Sequence, residues 1–478
     1  MSVRDFQHFI NGEWTAPAGG GMIDSIDPST EDVIARVGRG NAHDINAAVG
    51  AARAAFPAWR DKKPKDRARL LFDLARAIEA RVDEFAKWET LDSGKPLPRS
   101  RGEVLSTARY FEFYAGAADK YYGETIPLGA DYIDFTLREP MGVTAHIVPW
   151  NFPMNMIGRS VAPALAMGNT AVVKPAEQTP VTAMLLAELM QELGFPAGVF
   201  NVVNGYGTEA GAPLTAHPDI DCITFTGSVE TGRIIMKTAA EHIKPVVLEL
   251  GGKSPNIIFA DTDLDLAVAE ASKGIFSNTG QVCSAGSRVL VEARVRDAFV
   301  EKLAARTNQI KVGRGMDSPE MGPLVSREQY ERVEIYMGIG REEGAEVAAG
   351  GNRPPEFEKG FFWQPTILDR VTPEMRVAQE EIFGPVLAVL TFDDEAEALE
   401  IANGVKYGLV AGIFTNDINR AMRLARDLKA GQVYVNEYFA GGEETPFGGY
   451  KQSGFGREKG LEALINYTQV KNVAIRIR

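Results

Sequence analysis

The sequence predicts an α/β chain made of two parallel-sheet units and a small β region. Three observations carry this prediction. The 478 residues are too many for one hydrophobic core. From about residue 142, short apolar runs alternate with helical stretches, and a second series of the same kind runs from about 255 to 440. Strand, helix, strand in this rhythm means a parallel sheet covered on both faces, with ligands beyond the carboxyl ends of its strands.

Residues 44–59 and 64–92 read as amphipathic helices; in the second, Leu70, Leu71, Leu74, Ile78, Val82 and Phe85 recur at three- and four-residue spacing. Another helical stretch near 102–120 carries Tyr110, Phe113 and Tyr114. Tyr132–Leu137 alternates polar and apolar side chains like a half-exposed strand. The first alternating series has strand candidates Val143–Val148, Ala171–Val173, Phe200–Val203, Ile220–Phe225 and Val246–Leu250. Helical segments near 155–167, 181–193, 207–216 and 230–241 separate them. The second series offers Ile257–Phe259, Val289–Val291, Val386–Thr391, Val410–Phe414 and Val433–Val435. Gln469–Arg478 again reads as a half-exposed strand, whose unpaired edge invites another subunit.

Composition narrows the function classes. Hydrophobic content of 45% and charged content of 24% match a soluble globular protein. Two cysteines cannot build a disulfide framework, which points to a reducing compartment. The start, Met1-Ser2-Val3-Arg4-Asp5, is polar, and no run nears the roughly 18 apolar residues of a membrane span. A cytoplasmic protein without membrane attachment is expected. A net charge of −13 argues against a nucleic-acid surface. Five scattered histidines, with no Cys-x-x-Cys and no His-Glu-x-x-His, give a protein-built metal site no support.

The two thiols sit in different company. Cys222 lies in the apolar run Asp221-Cys222-Ile223-Thr224-Phe225, where a thiol is a small hydrophobe. Cys283 lies in Ser277-Asn278-Thr279-Gly280-Gln281-Val282-Cys283-Ser284-Ala285-Gly286, a polar turn on which a thiol can meet a substrate. The run Thr226-Gly227-Ser228-Val229-Glu230-Thr231-Gly232 leads from a strand into a helix, a place for an anion or for a plain Ser-capped connection. Lys174 and Glu177, after another strand, suit ribose hydroxyls or a solvated pair of surface charges.

Four further segments complete a pattern: Pro149-Trp150-Asn151-Phe152-Pro153, Leu248-Glu249-Leu250-Gly251-Gly252-Lys253, Glu380-Glu381-Ile382-Phe383-Gly384-Pro385 and Pro446-Phe447-Gly448-Gly449-Tyr450-Lys451. With the Cys283 run and the Gly227–Gly232 loop, in this order, the chain resembles the NAD(P)-dependent aldehyde dehydrogenase superfamily, of the hydrolytic, non-acylating type. The resemblance implies a Rossmann-like NAD-binding domain in 1–120 and 141–249 and a second α/β catalytic domain in 250–445. A bridging and oligomerisation region would take 121–140 and 446–478, giving a homodimer or homotetramer.

It also implies roles. Cys283 would be the nucleophile, Asn151 an oxyanion donor, Glu249 the base that activates water, and Glu458 a second glutamate tied to proton relay. Trp150, Lys174, Glu177, Gly207, Gly227, Ser228, Gly232, Glu381 and Phe383 would hold the cofactor. Glu177 favours NAD over NADP, since a 2′-phosphate would face its carboxylate. Phe152, Met156 and Arg159 would line the substrate pocket. Arg159 stands where relatives acting on simple aliphatic aldehydes usually carry tryptophan. It suits an anionic semialdehyde, an aromatic aldehyde or a structural ion pair, and Ser277 replaces a further arginine of the succinic semialdehyde branch. A CoA-acylating dehydrogenase would lack the Glu249 carboxylate. A cysteine hydrolase would need a histidine base, and His8, His43, His146, His217 and His242 sit in no motif for one. A non-catalytic relative would not need Cys283, Asn151 and Glu249 together.

Overall fold

The computed structural model describes residues 3–477; Met1 and Ser2 of the polar start and Arg478 of the expected terminal strand lie outside the described residues. The first alternating series forms the centre of an eight-stranded sheet. Val246–Glu249, Cys222–Thr226, Val143–Ile147, Thr170–Lys174 and Phe200–Val202 lie side by side and parallel. Each is a short apolar run buried on both faces, as the absence of period-two alternation implies. His8–Ile10 and Glu13–Thr15 close one edge antiparallel, and Gly454–Phe455 closes the other against Val246–Glu249. That last pairing depends on Gly454, at φ +112°, because a Cβ there would stand 1.9 Å from the Leu248 carbonyl oxygen.

The chain runs outward from Val143–Ile147 to Phe200–Val202, then returns to place Cys222–Thr226 on the other side of Val143–Ile147. The crevice at this reversal is where an open parallel sheet binds its ligand. It carries Pro149-Trp150-Asn151 from one strand and Gly227-Ser228 from the other.

The second series forms a seven-stranded sheet in the order Glu346–Ala349, Thr366–Asp369, Val386–Phe392, Arg288–Glu292, Pro255–Ile258, Val410–Phe414, Gln432–Val435. All its pairs are parallel except the first. Five residues, Leu250 to Ser254, join the end of Val246–Glu249 to the start of Pro255–Ile258. The carboxyl ends of the first sheet therefore face the amino ends of the second.

Tyr132–Pro140 pairs antiparallel with Thr468–Arg476 over nine residues as a separate ribbon. The rest of the 446–478 segment lies elsewhere: Tyr450–Lys451 pairs with Tyr407–Gly408, and Gly454–Phe455 joins the first sheet. The single helix expected over 64–92 is two, Pro64–Ala80 and Val82–Ser93. Arg81 breaks them at φ −109°, ψ 20°, with its side chain on Glu84, and acidic Asp83 and Glu84 start the second helix.

Candidate active site

The residues from Ser277 to Cys283 leave the Leu264–Phe276 helix through three left-handed positions, Asn278 (φ 49°), Thr279 (φ 57°) and Gly280 (φ 70°). A β-branched residue in that region is strained and persists only where its surroundings fix it. Here they do. Thr279 Oγ1 donates to the Gly322 carbonyl at 3.0 Å, and Val325 N–H donates to Gln281 Oε1 at 2.9 Å. Asn278 Nδ2 donates to the Asn151 carbonyl at 3.1 Å, while Asn151 Nδ2 donates to the Gln281 carbonyl at 3.0 Å. Lys95 Nζ reaches the same Asn151 carbonyl at 2.9 Å, held from behind by Glu103 at 2.5 Å and Glu89 at 3.3 Å. Asn151 is thus tied to the cysteine loop from both its side chain and its backbone.

Cys283 is partly exposed, whereas Cys222 is fully enclosed on its strand. Cys283 opens onto a cavity of about 530 Å³ between the two sheets. Trp150, Asn151, Gly227, Ser228, Glu249, Glu381 and Phe383 share its wall. Burial pushes the Cys283 thiol up to about 12 against the pull of Arg159, so the resting thiol is protonated. Glu249 ends its strand with both carboxylate oxygens buried and, among the described residues, without a hydrogen-bond partner. Burial raises its proton affinity well above the usual carboxylate range, with Arg159 opposing and Glu458 adding to the shift.

Glu381 rests on the Gly251-Gly252 pair. Gly252 N–H donates to its Oε1 at 3.0 Å, and a Cβ on Gly251 would lie 2.1 Å from its Oε2. Burial holds its carboxyl at about 7, offset in part by that N–H. Phe383, at φ 62°, meets the Trp150 ring edge-on at 5.2 Å. Ser228 caps the Val229–Ala240 helix, its Oγ accepting from Thr231 N–H at 3.1 Å.

Other expected site residues stand off this wall. Lys174 and Glu177 pair with each other at 2.9 Å at the end of their strand. Gly207 opens a helical turn, Gly207–Gly211. Gly232 is buried against Leu250, where a Cβ would come within 2.8 Å of Leu250 Cδ2, so its place is one of helix-to-strand packing. Phe152, Met156 and Arg159 are buried at the start of the Pro153–Ala166 helix. The Arg159 Nε lies 2.5 Å from Glu458 Oε2, and its Nη2 lies 3.6 Å from Glu249 Oε2.

Sequence reasoning missed Gln329 and Arg332, both on the cavity wall. Gln329 Nε2 donates to the carbonyls of Ile382 (3.1 Å) and Phe383 (2.6 Å), and Arg332 to those of Glu381 (2.5 Å) and Ile382 (3.1 Å). They hold the Glu381–Phe383 turn in place. Lys95 was missed as well. No local pattern marks such residues, because their partners lie some 50 positions away in sequence.

Among known proteins, a model described as the aldehyde dehydrogenase family matches residues 14–473. The chain is similar to aldehyde dehydrogenase 1 of Tanacetum cinerariifolium, 47% identical over 98% of this chain and 95% of that one. It is similar to the hydroxyisobutyraldehyde dehydrogenase of Mycolicibacterium austroafricanum, at 46% over 98% and 93%. Among solved structures, an NAD+ complex of an aldehyde dehydrogenase from Bacillus cereus superposes with a TM-score of 0.98 at 48% identity, covering 99% of this chain and 97% of that one.

Proposed function

The chain belongs to the aldehyde dehydrogenase family, an oxidoreductase family acting on aldehydes, and on that premise we propose that it converts an aldehyde to the carboxylic acid by way of Cys283. One observation carries the reading: a cysteine, an amide donor and a buried carboxylate without a hydrogen-bond partner among the described residues open onto one cavity of about 530 Å³. Cys283 adds to the aldehyde carbonyl once a base has taken its proton, giving a thiohemiacetal. Asn151 has one amide N–H committed to Gln281 and the other left for the oxyanion, beside the Cys283 backbone N–H. Loss of hydride from this carbon is the chemistry that a bound nicotinamide supplies, and it leaves a thioester on Cys283. Glu249 takes a proton from the water that hydrolyses the thioester; its raised proton affinity suits a base.

The cavity fits a dinucleotide. The helix capped by Ser228 offers free N–H groups to an anion, Glu381 and Phe383 line the opposite side, and Lys174 and Glu177 stand at the neighbouring strand end. Glu177 favours NAD: at 4 Å a 2′-phosphate would meet a repulsion of up to about 4 kcal/mol at an effective dielectric of 20. The test is the catalytic efficiency with each cofactor, and preference for NADP would reject this assignment.

Absorbance of the reduced cofactor, followed with benzaldehyde, succinic semialdehyde and a short alkanal, tests the activity. Turnover without coenzyme A, abolished in Cys283→Ala, is the expected result; a coenzyme A requirement would overturn the hydrolytic reading. Asn151→Ala should lower kcat by about 10²–10³. Tyr132–Pro140 and Thr468–Arg476 are read as the ribbon through which subunits join into a dimer or tetramer.

A further inference from the structure

The Pro153–Ala166 helix carries one charged side chain, Arg159, and buries it. The guanidinium stands against two carboxyls, with Glu458 at 2.5 Å from Nε and Glu249 at 3.6 Å from Nη2. Its Cζ lies 4.4 Å from the centroid of the Phe447 ring, which covers the group. Glu458 is fixed in turn, because its backbone exchanges hydrogen bonds with Phe447 at 2.7 and 2.8 Å. Gly158 brings the helix in close: a Cβ there would lie 2.9 Å from Thr107 Cγ2. The arginine therefore has a built place, with its charge already engaged. Gripping a substrate carboxylate would mean leaving one buried glutamate without its counter-ion.

We propose that Arg159 is a positioning residue, the shared counter-cation through which Glu458 and Glu249 feel each other's charge, and not a receptor for an anionic aldehyde. This rests on the reading of Cys283 and Glu249 given above. One cation against two buried carboxyls cannot keep both ionised at no cost, so the proton that Glu249 receives is weighed against the charge on Glu458.

The surroundings of the triad are few. Glu249 faces Arg159, Glu458 and Arg457. Glu458 faces Arg159 and Lys459, and burial brings Lys459 down to about 8. Arg159 faces Tyr110 from the Leu97–Ala117 helix and feels Cys283; Cys283 also feels Glu249 and Glu381. Tyr110, Tyr114 and Tyr467 are phenols raised by burial and hence uncharged.

Two substitutions then act with opposite signs. Arg159→Gln removes the cation, so the Cys283 thiol and Glu249 both ionise at higher pH. Glu458→Gln removes the competing anion and releases Arg159 to Glu249, so both ionise at lower pH. The first measurement is the pH profile of iodoacetamide alkylation of Cys283, located by peptide mass, which needs neither aldehyde nor cofactor. The limb should move up by about one pH unit in Arg159→Gln and down in Glu458→Gln. A merely structural role moves the two together or not at all. The second measurement is steady-state kinetics. In Arg159→Gln the acid limb of kcat should shift with the alkylation limb, while KM for succinic semialdehyde relative to benzaldehyde changes less than about threefold.

An unmoved limb, or a KM rising only for the anionic aldehyde, would overturn the proposal. If Arg159→Gln does not fold, Glu458→Gln alone decides by the presence or absence of the downward shift. Shifting alkylation limbs without turnover of any aldehyde would reject the reading of the reaction and leave the coupling intact.

Discussion

Cys222 and Cys283 are both pushed up to about 12 by burial, so acidity does not separate them and access does. The sequence placed one on an apolar strand and the other on a polar turn, and the fold agrees, although contacts from Asn151, Gly322 and Val325 hold the turn in place. Buried lysines were not legible in the same way. Lys253 and Lys95 are each only 1% exposed, which no local pattern announces. Lys253 Nζ has no hydrogen-bond partner among the described residues, and burial, with Arg288 beside it, brings its proton affinity down from 10.5 to about 7. Below pH 7 the ammonium is charged in both the folded and the unfolded chain, and folding bears the full cost of burying it. Between about 7 and 10.5 the unfolded chain binds more protons, so this group's contribution to stability rises with pH. Each unit of the depression is worth about 1.4 kcal/mol. Lys253→Met should therefore raise the Tm more at pH 6 than at pH 9. Calorimetry showing an equal or reversed gain would refute the assignment.

At the scale of elements, long periodic or wholly apolar segments were legible and short ones were not. The five central strands of the first sheet sit where their apolar runs predict. Arg4–Phe6, His8–Ile10 and Glu13–Thr15 have three residues each, too few to show a period, and exist because a sheet edge was there to receive them. The left-handed run Asn278-Thr279-Gly280 was likewise invisible, since the contacts that hold it come from Asn151, Gly322 and Val325. Gly280 tests this element. A Cβ there would stand 2.0 Å from the Gly384 carbonyl oxygen at an unfavourable φ, so Gly280→Ala should destabilise the chain by about 1–3 kcal/mol. It should also lower kcat, because the displaced loop carries Cys283. Denaturant melts and turnover together check it, and wild-type values of both would show that the loop has slack.

At the scale of the whole molecule, the two sheets meet end to end and the ribbon stands apart from both. Ile133, Leu137, Val470 and Ile475 are exposed on it, an apolar surface on a two-stranded element that is marginal alone. A chain ended at residue 467 should leave the assembled state. Light scattering at the mass of a single chain for the truncated form, against a dimer or tetramer for the full one, is the expected result. Equal masses would assign the assembly to another surface.

The clamps on the cysteine loop also set an order in time. Synthesis delivers Gly322 and Val325 43 and 44 residues after the groups they hold, Thr279 and Gln281, and delivers Glu458 299 residues after its partner Arg159. Until then the cysteine loop lacks both clamps, and Arg159 lacks its Glu458 partner. A nascent chain therefore cannot close the Thr279 and Gln281 clamps until residues 322 and 325 have been made.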